Sequence, residues 1–244
     1  AVFMKIDSAN VYRIKGDLET AKSNVNIALK DALTMNWGKG LAASYTNLAY
    51  INLYESDFEA SMENAVEGLR IAEICHDLEN QGLANLIIGF IYFNLGDTSQ
   101  TLPYYEKSLS IRLELGNDYD IGYSYSYLGN FYLAQKKSDS ALYFHNKALE
   151  HRLKTDDTRS IADSYLLIGA TLLKKKKFNQ SLEHLQKALL KYAQIEDKKR
   201  LAETYRNFAE VYMTQGNVVD AQNFLLQANQ LAKETGSIDN QILI

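Results

Sequence analysis

The chain has 244 residues and a formal net charge of −4, with 13 Gly but a single Pro and a single Cys. Average usage would supply about twelve prolines, so a loop-rich β-sandwich or barrel is excluded and a nearly all-helical chain is expected. The lone Cys75 excludes an internal disulfide framework and a cysteine-cluster zinc site, and the mild negative charge gives no general attraction to nucleic acid or to acidic membranes.

The opening residues, Ala-Val-Phe-Met-Lys-Ile-Asp, lack the basic and long apolar regions of a secretory signal. With one free cysteine, the expected compartment is reducing and cytoplasmic. A start at Ala points to a processed chain or a piece of a longer protein. No apolar run approaches the roughly 18 residues needed to cross a bilayer.

The sequence repeats every forty positions from end to end. The first repeat, 2–41, carries Ala9, Ala21 and Ala28 and breaks at Lys15-Gly16-Asp17. The second, 42–81, carries Ala49, Ser61 and Gly68 and breaks at Glu55-Ser56-Asp57. The third, 82–121, carries Gly89, Thr101 and Ser108 and breaks at Leu95-Gly96-Asp97; its Pro103 predicts a late start or a slight kink in the second helix. The fourth, 122–161, carries Gly129, Ala141 and Ala148 around Lys136-Lys137-Ser138. The fifth, 162–201, carries Gly169, Ser181 and Ala188 around Lys174 to Lys177, and the sixth, 202–237, carries Ala209, Ala221 and Ala228 around Gln215-Gly216-Asn217. Residues 238–244 read as the start of a truncated seventh repeat.

Large apolar residues interleave with these small ones: Leu128 precedes Gly129 by one, Tyr132 follows it by three, and Leu149 directly follows Ala148. Offsets of three and four, as from Gly129 or Leu128 to Tyr132, are the spacing of one helix face. A glycine tolerates the left-handed conformation that ends a helix, and the Asp or Asn after it caps the next. A second polar break, such as Gly116-Asn117-Asp118, falls between repeats. Each repeat is therefore an antiparallel helix pair. Small residues are needed where two helices cross closely, since larger ones would push the axes apart. One pair cannot bury its apolar face alone, so the pairs stack as a solenoid.

The fourth repeat reads Tyr125-x-x-Leu128-Gly129-x-x-Tyr132, then Ala141, then Ala148-Leu149. This resembles the tetratricopeptide repeat, with Tyr45, Tyr125, Tyr165 and Tyr205 where that family often has Trp. The closing proline of the family is absent, and the step is forty rather than thirty-four residues. Long repeats of this kind are similar to Leu-Gly-Asn-repeat scaffolds, Rap-type peptide sensors, and sensor segments joined to bacterial kinases, cyclases or transcription factors. The resemblance implies an all-α, right-handed α-solenoid of about six helix pairs. It also implies a concave surface, lined by the first helix of each pair, where ligands lie.

On that surface the positions left over by the packing columns include Asn47, Tyr50, Tyr54, Leu86, Ile87, Phe90, Asn94, Tyr123, Tyr127, Asn130 and Asn207. Their aromatic and aliphatic groups offer contact area at low entropy cost, and an amide offers a donor and an acceptor to any peptide backbone. The expected partner is a peptide or helical segment of a protein. A clamp for an acidic C-terminus is not expected, because Arg13, Lys174 and Arg206 are scattered among Asp163, Glu203 and Glu210.

Catalytic signals are poor. His76, His145, His151 and His184 form no i, i+4 pair, Cys75 and His76 point about 100° apart on a helix, and Gly38 and Gly40 do not make a phosphate-binding loop. No enzyme activity, cofactor or metal is expected. The apolar ends, Val2, Phe3 and Ile6 at one and Ile238, Ile242, Leu243 and Ile244 at the other, suggest self-association through terminal helices. The sequence thus reads as an interaction module of a larger signalling or regulatory protein. Its rivals are a structural oligomerisation domain and a Rap-like protein acting on a response regulator.

Overall fold

The computed structural model describes residues 2–235, and among them there are twelve α-helices and no strands. Residues 238–244, the expected seventh repeat, lie outside the described residues. The chain divides into two compact halves, residues 1–117 and 118–244.

The first half holds three helix pairs: α1 (Val2–Ile14) with α2 (Leu18–Thr34), α3 (Gly38–Tyr54) with α4 (Phe58–Ile74), and α5 (Leu78–Asn94) with α6 (Thr98–Leu115). The second half holds α7 (Asp118–Ala134) with α8 (Ser138–Arg152), α9 (Thr158–Lys174) with α10 (Phe178–Gln194), and α11 (Lys198–Thr214) with α12 (Val218–Thr235). This is an all-α helical-repeat solenoid. First helices start at 38, 78, 118, 158 and 198, four positions ahead of the repeat boundaries placed at 42, 82, 122, 162 and 202.

The breaks work as local stops and starts. Every turn inside a pair ends in a left-handed residue: Gly16, Ser56, Gly96, Lys136, Lys176 and Gly216 have φ between 57° and 83°. Glycine takes this conformation freely, whereas Lys136 and Lys176 hold it at a cost of about 1 kcal/mol each. The cost is offset by the bonds that close the turn, such as Lys136 N–H to Leu133 O at 2.9 Å and Lys137 N–H to Tyr132 O at 2.9 Å. The next helix is then capped. Asp17 accepts from the Thr20 N–H, Asp57 from Ala60 and Asp97 from Ser99 and Gln100.

Pro103 neither delays its helix nor lies in the first turn. Helix α6 begins at Thr98 on its Asp97 cap and runs through the proline, which is exposed. The carbonyl four residues earlier, on Ser99, loses only its helical donor there, and the Thr98 start is fixed by the cap instead.

The cores form where small residues meet larger ones. In the first half, Ala49 and Ala65 pack with Ile87, Ile88 and Ile91, while Ala9, Ala21 and Val25 pack with Leu48 and Ile51. In the second half, Ala162, Leu185, Ala188 and Tyr192 pack with Phe208 and Val211. The serines among the small residues have a reason beyond size. Ser61 Oγ donates to Ala49 O at 2.8 Å, and Ser181 Oγ to Gly169 O at 2.7 Å, so each hydroxyl binds the helix it crosses.

The crossings are matched in size. A Cβ built on Gly89 would lie 2.6 Å from the Tyr105 ring, and one on Gly169 2.9 Å from Leu185. One on Gly129 would overlap the ring of His145. Position 25 and its equivalents read Val25, Ala65, Tyr105, His145, Leu185 and Leu225, with glycine opposite Tyr105, His145 and Leu185. Thirty positions apart, Gly82 meets Arg112 and Gly122 meets Arg152 in the same manner.

Candidate functional site

The first helices place the candidate residues at three depths. Tyr54 and Asn94 are exposed, and Tyr50, Phe90, Tyr123, Tyr127, Asn130 and Asn207 are half-buried. Asn47 is buried at 8%, with its amide N–H donated to Ala43 O at 2.8 Å. Leu86 and Ile87 are corrected to packing residues. Leu86 is 5% exposed, and Ile87, at 1%, belongs to the core with Ala49 and Ala65. The register of a helix predicts which direction a residue points, but the adjacent pair closes over part of that direction. Positions 46, 86, 126 and 166, occupied by Thr46, Leu86, Ser126 and Leu166, are all buried. The positions that stay accessible are instead Tyr50 and Phe90 in the first half and Asn130 and Ala170 in the second.

In the first half, part of the aromatic surface is already covered. The Arg13 guanidinium lies 4.4 Å from the Tyr50 ring centroid and 5.2 Å from that of Tyr54, and its Nη1 donates to the Tyr54 hydroxyl at 3.0 Å. Its Nε and Nη2 donate to Asn10 Oδ1 at 3.4 Å. A cation over a ring face is held by the ring quadrupole. A ligand reaching Tyr50 must therefore share that ring with Arg13 or displace it.

In the second half, several charges of this face are paired within the chain, whereas Arg206 Nε is buried without a partner. Tyr192 donates its hydroxyl to Asp163 Oδ1 at 2.5 Å, and Arg200 stands 3.5 Å from the same oxygen while donating to Glu203 at 2.7 Å. Burial pushes the Tyr192 hydroxyl pKa up, and the Asp163 charge adds to that rise. Lys174 pairs with Glu210 at 2.8 Å. Tyr123 faces inward on one side, where the Arg152 guanidinium sits 4.7 Å from its ring, and burial again raises its hydroxyl pKa.

The asparagines differ in what they leave open. Asn94 donates to Phe90 O at 2.8 Å and Asn207 to Glu203 O at 2.9 Å, each bonding back one turn in its own helix as Asn47 does. Asn24, Asn64 and Asn146 on second helices do the same, so this bond is a habit of the helix. It leaves the oxygen and the other N–H of each amide available. Asn130 is the exception: its Oδ1 lies 3.3 Å from Nε2 of His145 on the neighbouring helix.

His145, Arg112 and Arg152 were not predicted to matter. His145 is fully buried, and the two arginines are 5% and 2% exposed. Their signal was present in the glycines opposite them, because a column that shrinks to glycine makes room for a large partner. Burial, with the Arg152 cation adding to it, pushes the His145 imidazole down to about 4 from its usual 6.5. The unfolded chain then binds more protons than the folded one between those values, so stability is complete above pH 6.5 and falls as pH drops towards 4. The loss amounts to about 3 kcal/mol in all. Urea midpoints between pH 7 and 4.5 should fall steeply for the wild type and much less for His145→Leu; parallel curves would show that the fold does not lower the His145 pKa.

Among the described residues no cluster of three or more His, Cys, Asp or Glu could hold a metal ion, and no helix is long and apolar enough to cross a membrane. A family model described as tetratricopeptide repeat matches residues 81–154 and 160–234. No curated protein sequence matches the chain. Among solved structures, BtubC (BKLC) from P. vanneervenii is similar at 18% identity and a TM-score of 0.74, over 90% of this chain and 92% of that one. A Signal Transduction ATPase with Numerous Domains protein with a tetratricopeptide repeat sensor, from Pyrococcus horikoshii, is similar at 18% identity and a TM-score of 0.71, over 98% of this chain but 38% of that one. A Rap protein complexed with Competence and Sporulation Factor is similar at 12% identity and a TM-score of 0.76, over 98% of this chain and 71% of that one. At these identities the likeness is one of fold.

Proposed function

The chain belongs to the tetratricopeptide repeat family of protein-interaction scaffolds, and from that premise we propose that its first helices capture a peptide or a helical segment of a partner protein. The observation that carries this is the set of uncharged, half-buried residues on those helices, Tyr50 and Phe90 in the first half and Asn130 in the second, with amides that keep hydrogen-bonding capacity, Asn94 in the first half and Asn207 in the second. Aromatic faces supply area and amides supply backbone partners, so the segment is apolar and its recognition depends on few side-chain charges. The protein acts without catalysis, as the sensory or scaffolding part of a signalling or regulatory protein. Structural neighbours with a tetratricopeptide repeat sensor, or complexed with Competence and Sporulation Factor, support this.

The test is a selection of twelve-residue peptides from a displayed library against the whole chain, followed by calorimetry on synthetic copies. Phe90→Ala with Asn130→Ala should weaken binding at least a hundredfold while circular dichroism at the assay temperature shows the helical fold retained, although the lost His145–Asn130 contact lowers the melting temperature. Undiminished binding by that double variant would sink the proposal. A second reading, self-association, is favoured by the exposed Phe3, Met4, Val11 and Ile14 of α1. It predicts dimers in sedimentation runs that Met4→Glu with Ile14→Glu dissociates, with peptide binding unaltered.

A further inference from the structure

His145 lies where three helices meet. It is carried by α8, stands on Gly129 of α7, and reaches Thr171 of α9 through Nδ1 at 2.9 Å. Its other nitrogen faces the Asn130 oxygen at 3.3 Å. Both His145 and Thr171 are fully buried, so each polar atom here needs a partner inside the protein. Burial keeps the imidazole neutral over most of the pH range, which leaves it a single N–H to place.

The Thr171 hydroxyl decides which nitrogen carries that hydrogen. It has one proton and two acceptors within reach, Leu167 O at 2.8 Å and His145 Nδ1 at 2.9 Å. If the proton goes to Leu167, the imidazole must donate from Nδ1 to Thr171, and its bare Nε2 then faces the bare Asn130 oxygen. If the proton goes to Nδ1, the imidazole donates from Nε2 to Asn130 Oδ1, and every group is satisfied. Leu167 O gives up little, because its helical bond is retained. The first arrangement would be fully paired only with the Asn130 NH2 turned to Nε2; with the Asn130 oxygen there instead, pairing selects the second.

We propose that His145 is a positioning residue that holds the Asn130 amide by its oxygen, so that Asn130 turns its NH2 group towards the ligand and selects a carbonyl oxygen there. The other asparagines offer an oxygen and an N–H together; Asn130 offers donors alone. The inference rests on the peptide-capture reading and specifies one contact of that site: a peptide carbonyl lies opposite Asn130.

Two measurements test it separately. Long-range nitrogen–proton NMR correlation on the labelled full-length chain at pH 7 reads the tautomer without any ligand. An Nε2–H imidazole is expected; an Nδ1–H imidazole would overturn the proposal. The second measurement uses the synthetic peptide selected above. His145→Leu, which mirrors Leu185 standing on Gly169, should weaken binding about tenfold. It should match Asn130→Ala, with no further loss in the double variant, and His145→Gln should recover part of the affinity through its own N–H. Wild-type affinity in His145→Leu beside a weakened Asn130→Ala would also overturn it. If no peptide binds the wild-type chain, the capture reading fails and takes the carbonyl contact with it, whereas the tautomer still decides whether His145 holds Asn130.

Discussion

Gly129→Ala is expected to cost about 3 kcal/mol, at the upper end for overpacking, and to lower the melting temperature by roughly 6–12 °C. One methyl does this because a Cβ at 129 would overlap the His145 ring, and the ring has nowhere to go. It is fully buried and bonded to Thr171 on one side and Asn130 on the other. Gly169→Ala is the control. There the new Cβ meets Leu185 Cδ2 and Cγ at 2.9 Å, a milder conflict than the overlap at Gly129, so the cost should be smaller, about 1–2 kcal/mol. Combining Gly129→Ala with His145→Ala should cost less than the two changes added together, since the pair then copies Ala49 and Ala65 of the second repeat. A Gly129→Ala protein that melts with the wild type would mean that the histidine does not stand on this glycine.

Arg152→Ala should cost about 3–4 kcal/mol, while Arg152→Met should stay within about 1 kcal/mol of wild type. The side chain is 2% exposed and packs its stem on Gly122, with Nη1 donating to Ser160 O at 3.0 Å and Ser164 Oγ at 2.9 Å. Its Nε is buried with no partner, and burial lowers its pKa. Two effects compete: filled volume, which stabilises, and a desolvated charge, which does not. Methionine keeps most of the volume and removes the charge, so it separates them. The next repeat favours volume, because Tyr192 fills the matching position at 0% exposure. Denaturant midpoints for the three proteins decide it. If methionine proves as damaging as alanine, the charge and its hydrogen bonds hold this crossing together.

Much of the fold was legible because its rules are local. The small residues recur every forty positions, and those on Ala49, Gly129 and Gly169 fall at helix crossings as expected. The turns could be located even at Lys136 and Lys176, where no glycine marks them, because the repeat supplies the position that the residue type does not. The accessible face of the first helices was legible only in part. Helical spacing put Phe90, Asn94 and Asn130 on one side of their helices, and they remain accessible there. The same spacing also selected Leu86 and Ile87, which the neighbouring packing buries.

The sequence by itself determined the period, the pairing of helices, their caps and the places where backbones come close, because each depends on residues within one or two turns of each other. Only the tertiary structure decided what fills those close places: His145 over Gly129, Arg152 over Gly122, Arg13 across Tyr50 and Tyr54. Those partners lie sixteen to forty-one positions apart, and the phase of a single helix carries no information about which side chain arrives from another. Burial, hydrogen-bond direction and the shifted imidazole all follow from that arrival.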